Sequence, residues 1–270
     1  MTRPDGSPPD ADLASSGDAH HARPLSFFFG TRGQMCPYLT ERVETKIVTD
    51  LSGRFAQSIH DELTVAGFRR SHNLVYKPAC LGCNACVPVR IPVRRFAPTR
   101  TMRRTWRRNR DLTCDVVEAV ATIEQFDLFD RYQKRRHRDG GMASMTYADY
   151  RAMVEETPVD TRLVEARQKN GELIAVSLTD WVGDGLSGIY KFFDPELRHR
   201  SLGTFLILWH VELALSEGRD HVYLGYWIAD CAKMSYKVRF QPLEALSEHG
   251  WREMPRTGES IERIAFDPNR

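Results

Sequence analysis

The segment from Thr161 to Trp227 constrains the fold more than any other. It opens with TRLVEARQKNGELIAVSLTDWVGDGLSGIYKFFDPEL, three runs of strand-forming residues separated by the turn sequences KNGE and GDGLSG, and so predicts an antiparallel meander. SLGTFLILWHVELALSEG follows as a helix. Ser201 or Thr204 can cap it, Phe205, Leu208, Trp209, Val211 and Leu215 recur at core-facing spacing, and Gly218 can end it. HVYLGYW then reads as a further strand.

Meander, helix, strand is the order of an acyltransferase-type α/β sheet. Upstream, ERVETKIVTD alternates as a half-buried strand, and SGRFAQSIHDELTVAGF predicts a helix with Ser52 as cap and Gly67 as stop. NLVYKP and CVPVRIPV look extended, and the prolines of the latter place it at a sheet edge or outside the sheet interior. Thr99 to Arg110 suits a short basic helix, DLTCDVVEAV a strand, and TIEQFDLFDRYQKRRHRDGG a helix that stops at Gly140 and Gly141. That doublet serves as the expected boundary between an N-terminal domain, 25–140, and a C-terminal domain, 141–250, with a leader over 1–24 and a tail over 251–270. No tandem repeat is visible, although a structural duplication of the two halves is compatible with the pattern.

With 38 basic and 36 acidic residues, net charge gives no global pull toward nucleic acid. Charge is placed locally instead. No apolar run approaches the length of a membrane span, and the first 24 residues lack the hydrophobic segment of a secretory signal. The leader reads as disordered and the protein as cytosolic, where thiols stay reduced and clustered cysteines serve as metal ligands or catalytic groups.

Cys80, Cys83 and Cys86 form C-x2-C-x2-C, a spacing that lets neighbouring thiolates converge on one ion or cluster. Cys36, in GQMCPYL, is the first choice for a fourth ligand, with His60 and His72 behind it; Cys114 and Cys231 read as buried residues. Zinc and iron–sulfur both stay open, as do six free thiols. Nine arginines follow without an acid: Arg90, Arg94, Arg95, Arg100, Arg103, Arg104, Arg107, Arg108 and Arg110. Arginine suits bidentate phosphate contact, and Phe96 and Trp106 can stack on bases, so an RNA-binding surface is expected, extended by RYQKRRHR, which holds Arg135 and Arg136. The bland alternative is a solvated helix face.

CPYL, YKPACLGCNACVPVRIPV with RTWRRN, RHRDGGM, YKFFDPELRHRSLGTF and YLGYWI together resemble the bacterial aminoacyl-tRNA–protein transferases, the aspartate/glutamate leucyltransferases related to arginyl-tRNA–protein transferase. The resemblance runs from about Phe27 to Arg239. It implies a GCN5-type acyltransferase fold, often duplicated in that wider group, and an enzyme that moves leucine from charged tRNA onto an N-terminal Asp or Glu of a protein to create a degradation signal. Arginine as donor is the nearest alternative. Acetyltransferases of that fold cradle coenzyme A with Q/R-x-x-G-x-G/A; here Arg200 to Phe205 ends in a bulky residue, so no acetyl-CoA is expected. Neither DNA nor a membrane is expected as a partner.

The aminoacyl ester is already activated, so direct attack by the incoming amine suffices. Tyr190 or Tyr226 can protonate the departing ribose oxygen and Asp194 can orient the amine. Arg90 and Lys191 are the cations expected for the acidic acceptor, with Arg200 and Gly203 at the donor side and Arg103, Arg104, Arg107, Arg108, Arg135 and Arg136 on the tRNA. The metal at Cys36, Cys80, Cys83 and Cys86 is expected to be structural, since three or four thiolates leave no open coordination position. Two other classes stay in view: a metal-stapled, non-catalytic RNA-binding protein and an N-acetyltransferase.

Overall fold

The computed structural model describes residues 26–138 and 140–255. The expected leader and most of the expected tail lie outside them. Along the chain run β1 (Phe29–Gly30), β2 (Gln34–Met35), β3 (Val43–Glu44), β4 (Lys46–Asp50), α1 (Ala56–Val65), β5 (Arg69–Ser71), β6 (Leu74–Pro78) and β7 (Val87–Pro92). Then come α2 (Arg100–Arg108), β8 (Thr113–Glu118), α3 (Ile123–Arg136), α4 (Tyr147–Glu155), β9 (Thr161–Arg167), β10 (Leu173–Val182) and β11 (Gly185–Phe193). The chain continues through α5 (Leu202–Ser216), β12 (His221–Trp227), β13 (Glu244–Ser247) and β14 (Gly250–Glu253).

The fold is mixed α/β. Its main sheet has the order β14-β13-β7-β12-β11-β10-β9-β8, and a smaller one runs β1-β4-β6-β5. The meander is β9-β10-β11, paired antiparallel as its turn sequences require. After α5 crosses over, β12 lies parallel to β11, the one parallel pair among the described residues. A second meander–helix–parallel strand unit, the duplication expected from the sequence, is not formed among those residues. Strands on both sides of Gly140–Gly141 share the main sheet.

Every residue of β10 is buried, because the sheet is covered on both faces. On one face Val176 and Leu178 pack with Leu128 and Phe129 of α3 and Tyr150 of α4. On the other, α5 supplies Ile207, Leu208 and Val211 to a cluster with Trp181, Leu186 and Val222. Burying each such side chain is worth about 1.5–3 kcal/mol, which is why α5, apolar on nearly every side, lies across the sheet. Leu215, expected in the core, is instead 42% exposed near the end of that helix. Capping boxes at Thr122/Gln125 and Thr146/Asp149 start α3 and α4. Ser52 caps nothing: α1 begins after Phe55 without a side-chain cap.

The prolines of β7 do not push it to an edge. It lies between β12 and β13, but β13 pairs with it only at Val89 and Arg90, so Pro88 and Pro92 need no partner on that side.

A buried ion cluster ties the small sheet to the large one. Asp180 of β10 receives Arg70 Nε and Nη2, each at 2.7 Å, His60 Nε2 at 3.0 Å and the Thr161 hydroxyl at 2.8 Å. Burial alone would raise the Asp180 carboxyl; the hydrogen bonds from Arg70 and His60 outweigh it and bring the group down to about 2.

Candidate active site

β11 and β12 pair only at Gly185–Ser187 with His221–Tyr223, and then diverge. Each strand carries a bulge at this point: Ile189 is skipped in the pairing with β10, and Leu224 in the pairing with β7. The sheet therefore splits, and a cavity of about 850 Å³ occupies the gap. β11 supplies Gly188, Ile189, Tyr190, Lys191 and Phe193, and β12 supplies Leu224. α5 contributes its first turn, Leu202 to Thr204, and α3 contributes Tyr132 and Arg136.

Six basic side chains line this space, Arg69, Arg136, Lys191, Arg198, Lys233 and Lys237, and among the described residues no carboxylate lines it. Among the described residues none of the six forms an ion pair. Burial, and then the charge of Arg69, lowers Lys191 from its usual value to about 7. Burial, with Arg69 and then Lys191, does the same to Lys237. Tyr190 Oη accepts a hydrogen bond from Gln133 Nε2 at 2.7 Å, which leaves its own proton free to donate, while burial pushes the phenol up to about 12.

At α5, Ser201 adopts a left-handed conformation (φ 55°) and its carbonyl accepts from Thr204 and Phe205. The N–H groups of Leu202 and Gly203 have no earlier helical turn to bond to, so the helix offers the cavity an anion-favouring end. Phe205 does not crowd it. That ring is 3% exposed and packs 5.6 Å from Trp106, so the steric case against coenzyme A made from its position fails.

The arginine tract divides in two. Arg90, Arg94 and Arg95 are neutralised: Arg90 by Glu244 at 2.8 Å and Asp184 at 3.7 Å, Arg94 by Asp220, Arg95 by Glu244 and Glu253. Arg90 also stacks on Trp251, 4.3 Å from the ring centre, and is unavailable to a substrate. The arginines of α2 and just beyond it form no ion pair among the described residues, and Arg100, Arg104, Arg107, Arg108 and Arg110 line a groove of about 670 Å³. The helix meets the cavity wall, since Arg108 Nη1 donates to the His199 carbonyl and Asn109 Nδ2 to that of Arg200, at 2.8 Å. Arg135 reaches Glu196 at 3.4 Å, whereas Arg136 turns into the cavity over Tyr132 and Phe193.

Of the other expected residues, Tyr190, Lys191 and Gly203 come together in the cavity. Tyr226 does not join them: its hydroxyl donates to the Gly67 carbonyl at 2.9 Å, docking β12 on the small sheet. Asp194 caps a turn, accepting from the Glu196 N–H at 2.8 Å. Arg200 is held by Asp111 at 2.9 Å. Sequence reasoning missed Arg69 and Lys237, which reach the site from β5 and from the 3-10 turn Ser235–Arg239. A signal existed in Gly188 and Gly225, glycines inside strands, which mark bulges or close approaches.

Cys36, Cys80, Cys83 and Cys86 are neighbours: burial, then Cys80, Cys36 and Cys83, push the Cys86 thiol up to about 12. The donor set suits zinc or an iron–sulfur cluster, but among the described residues no three His, Cys, Asp or Glu side chains are arranged to hold a metal ion. No chemical step depends on one. His60, bound to Asp180, is no candidate ligand.

A split α/β sheet with a helix N-terminus at its gap and a basic cavity without ion pairs among the described residues defines a site for anionic ligands. Family comparison makes this specific. The model described as arginine-tRNA-protein transferase, N terminus, matches residues 34–104, and that for the C terminus matches 124–247. The aspartate/glutamate leucyltransferase of Paramagnetospirillum magneticum is 55% identical over 84% of this chain and 93% of its own. Those of Granulibacter bethesdensis and Rhodospirillum rubrum are 51% and 50% identical, over 84% and 83% of this chain and 85% and 92% of theirs. The chain belongs to this aminoacyl-tRNA–protein transferase family. Among solved structures, L-PGS from Bacillus licheniformis overlaps 53% of this chain and 47% of its own at a TM-score of 0.42 and 12% identity, too distant to carry an inference. Among the described residues no helix is long and apolar enough to cross a membrane.

Proposed function

We propose that this protein transfers leucine from its tRNA to the N-terminal Asp or Glu of an acceptor protein, marking it for degradation. One observation carries the site assignment: among the described residues, the basic cavity of the sheet gap has no acid in its lining and abuts arginines of α2 that form no ion pair. The relatives' names support leucine as donor. We read β8 to β12 with α3, α4 and α5 as a GCN5-type acyltransferase core, from its meander, crossover helix and split parallel pair.

In this reading α2 holds the acceptor-stem phosphates and the aminoacyl end enters beside the first turn of α5. The acceptor α-amine attacks the ester carbonyl; a C–N bond forms, the C–O bond to ribose breaks, and the amine's proton must leave. Lys191, at about 7, is partly neutral at neutral pH and accepts that proton. Tyr190, already a hydrogen-bond acceptor from Gln133, donates its own to the departing ribose oxygen. The product of the reaction is a peptide bond and uncharged tRNA. The cysteine loop is assigned a structural role, and elemental analysis of the purified protein for zinc and iron tests whether it carries a metal.

The test supplies radiolabelled leucyl-tRNA, arginyl-tRNA and acetyl-CoA to matched peptides beginning with Asp, Glu or Ala. Leucine transfer confined to Asp and Glu is the expected result. Acetyl transfer alone would make this an N-acetyltransferase. Binding of tRNA without transfer from any donor would make it a binding protein.

A further inference from the structure

Arg69 has an unusual seat. Its Nη2 donates to the carbonyls of Gly188 at 2.9 Å and Ile189 at 3.3 Å, at the β11 bulge. Its Nη1 is buried and has no hydrogen-bond partner among the described residues. The guanidinium lies flat against Gly225 of β12, whose φ is +73° and where a Cβ would come within 2.5 Å of Nη1. Across the gap Gly188 carries the Lys191 ammonium in the same manner. Two bulged strands thus each give up a side chain to accommodate a cation.

The strand that delivers Arg69 is fixed in place. Its neighbour Arg70 is the bidentate partner of buried Asp180, and Tyr226 binds the Gly67 carbonyl just before β5. Arg69 is therefore preorganised at no further cost when a ligand arrives. Lys237 stands near it, its ammonium donating to the Tyr226 carbonyl and to no other partner among the described residues.

A guanidinium N–H without an acceptor, in a cavity whose described lining holds no carboxylate, calls for an anion from the ligand. α2 meets the cavity at the 198–201 turn, so tRNA phosphates are served from that wall; Arg69 enters through the strands at Gly188 and Gly225.

We propose that Arg69, with Lys237 beside it, forms the subsite that binds the side-chain carboxylate of the acceptor's first residue and so restricts transfer to acidic N-termini. This rests on the transferase reading above.

The experiment measures leucine transfer by the full chain to matched peptides beginning with Asp or Asn, for wild type, Arg69→Gln, Arg69→Lys and Lys237→Met. Arg69→Gln is expected to lower kcat/KM for the Asp peptide by ~10- to 100-fold, to leave the Asn peptide within about twofold and to leave KM for leucyl-tRNA unchanged. Arg69→Lys should recover part of the Asp preference. Lys237→Met, in which β5 is untouched, should shrink the preference in the same direction and covers the case that Arg69→Gln does not fold. If both peptides fall together and KM for leucyl-tRNA rises, Arg69 binds a tRNA phosphate and the subsite is overturned. An undiminished Asp-over-Asn ratio in both Arg69→Gln and Lys237→Met overturns it as well. Absence of transfer by wild type would instead overturn the transferase reading, and the subsite with it.

Discussion

The α2 face and the sheet gap are both basic, yet they hold their charge in different ways. On α2 the arginines stand in water along one exposed helix, with Thr99 capping its start and Trp106 anchoring it on Phe205. Such charges interact over about a Debye length, are individually replaceable, and suit a ligand recognised by its phosphate backbone. In the gap, Lys191 and Lys237 are walled in by protein and depressed to about 7, and Arg69 has one buried donor unanswered. Those cations cost stability and are specific to geometry. In the proposed reading the difference separates a surface that gathers tRNA from a cavity that chooses and reacts.

The largest test of that separation is Lys191→Met. It should cut kcat by about 100-fold, the lower end of general-base effects, while gel-shift affinity for tRNA stays unchanged. The same variant should melt higher than wild type at neutral pH, because a buried lysine is traded for an apolar group. Next comes Asp180→Asn, which leaves Arg70 buried without its charge partner and should cost about 3–5 kcal/mol in chemical denaturation. The folded pKa of Asp180 lies below its unfolded value, so this stability is present above about pH 4 and is lost as pH falls toward 2.

Replacing Arg103, Arg104, Arg107 and Arg108 together by Gln should raise KM for leucyl-tRNA, spare kcat, and flatten the salt dependence by about one unit of slope for each phosphate no longer bound. A fall in kcat at saturating tRNA would erase the distinction between the two regions. Smaller still is the pH effect. Lys191 and Lys237 are charged mainly below about 7, so affinity for an acidic acceptor should decline as pH rises through 7, while kcat rises as amine and Lys191 lose protons. Facing them in the gap are Arg69, Tyr190, Tyr236 and Lys233, with His210 held neutral by burial and then by Lys191. An Asn-initiated peptide should show the rise in kcat without the change in KM.

Much of the fold was legible. The meander, α3 and α5 stand close to where turn residues, capping pairs and apolar spacing put them, since those signals act within a few residues. β7 was not, because a proline-bearing strand reads as an edge until the short span of its pairing with β13 is known. Helix α4 was missed: its buried face is Tyr150, Met153 and Val154, too short a pattern to stand out. Of the residues singled out in the sequence, Tyr190, Lys191, Gly203 and Arg136 meet in the cavity, whereas Arg90, Arg200, Asp194 and Tyr226 are tied up in structural contacts.

The sequence by itself determined the order of strands and helices, the arginine-rich helix, and the family, through local periodicity and through the joint order of its motifs. Tertiary structure decided which cations are free. Arg90 and Arg69 are both arginines on strands with nothing in the adjacent sequence to tell them apart. One is met by Glu244, 154 residues later in the chain; the other is laid against Gly225 with a donor unpaired among the described residues. Whether a charge is neutralised depends on which distant residues the sheet order brings within a few ångströms, and Coulomb energy in a buried site is set by that distance.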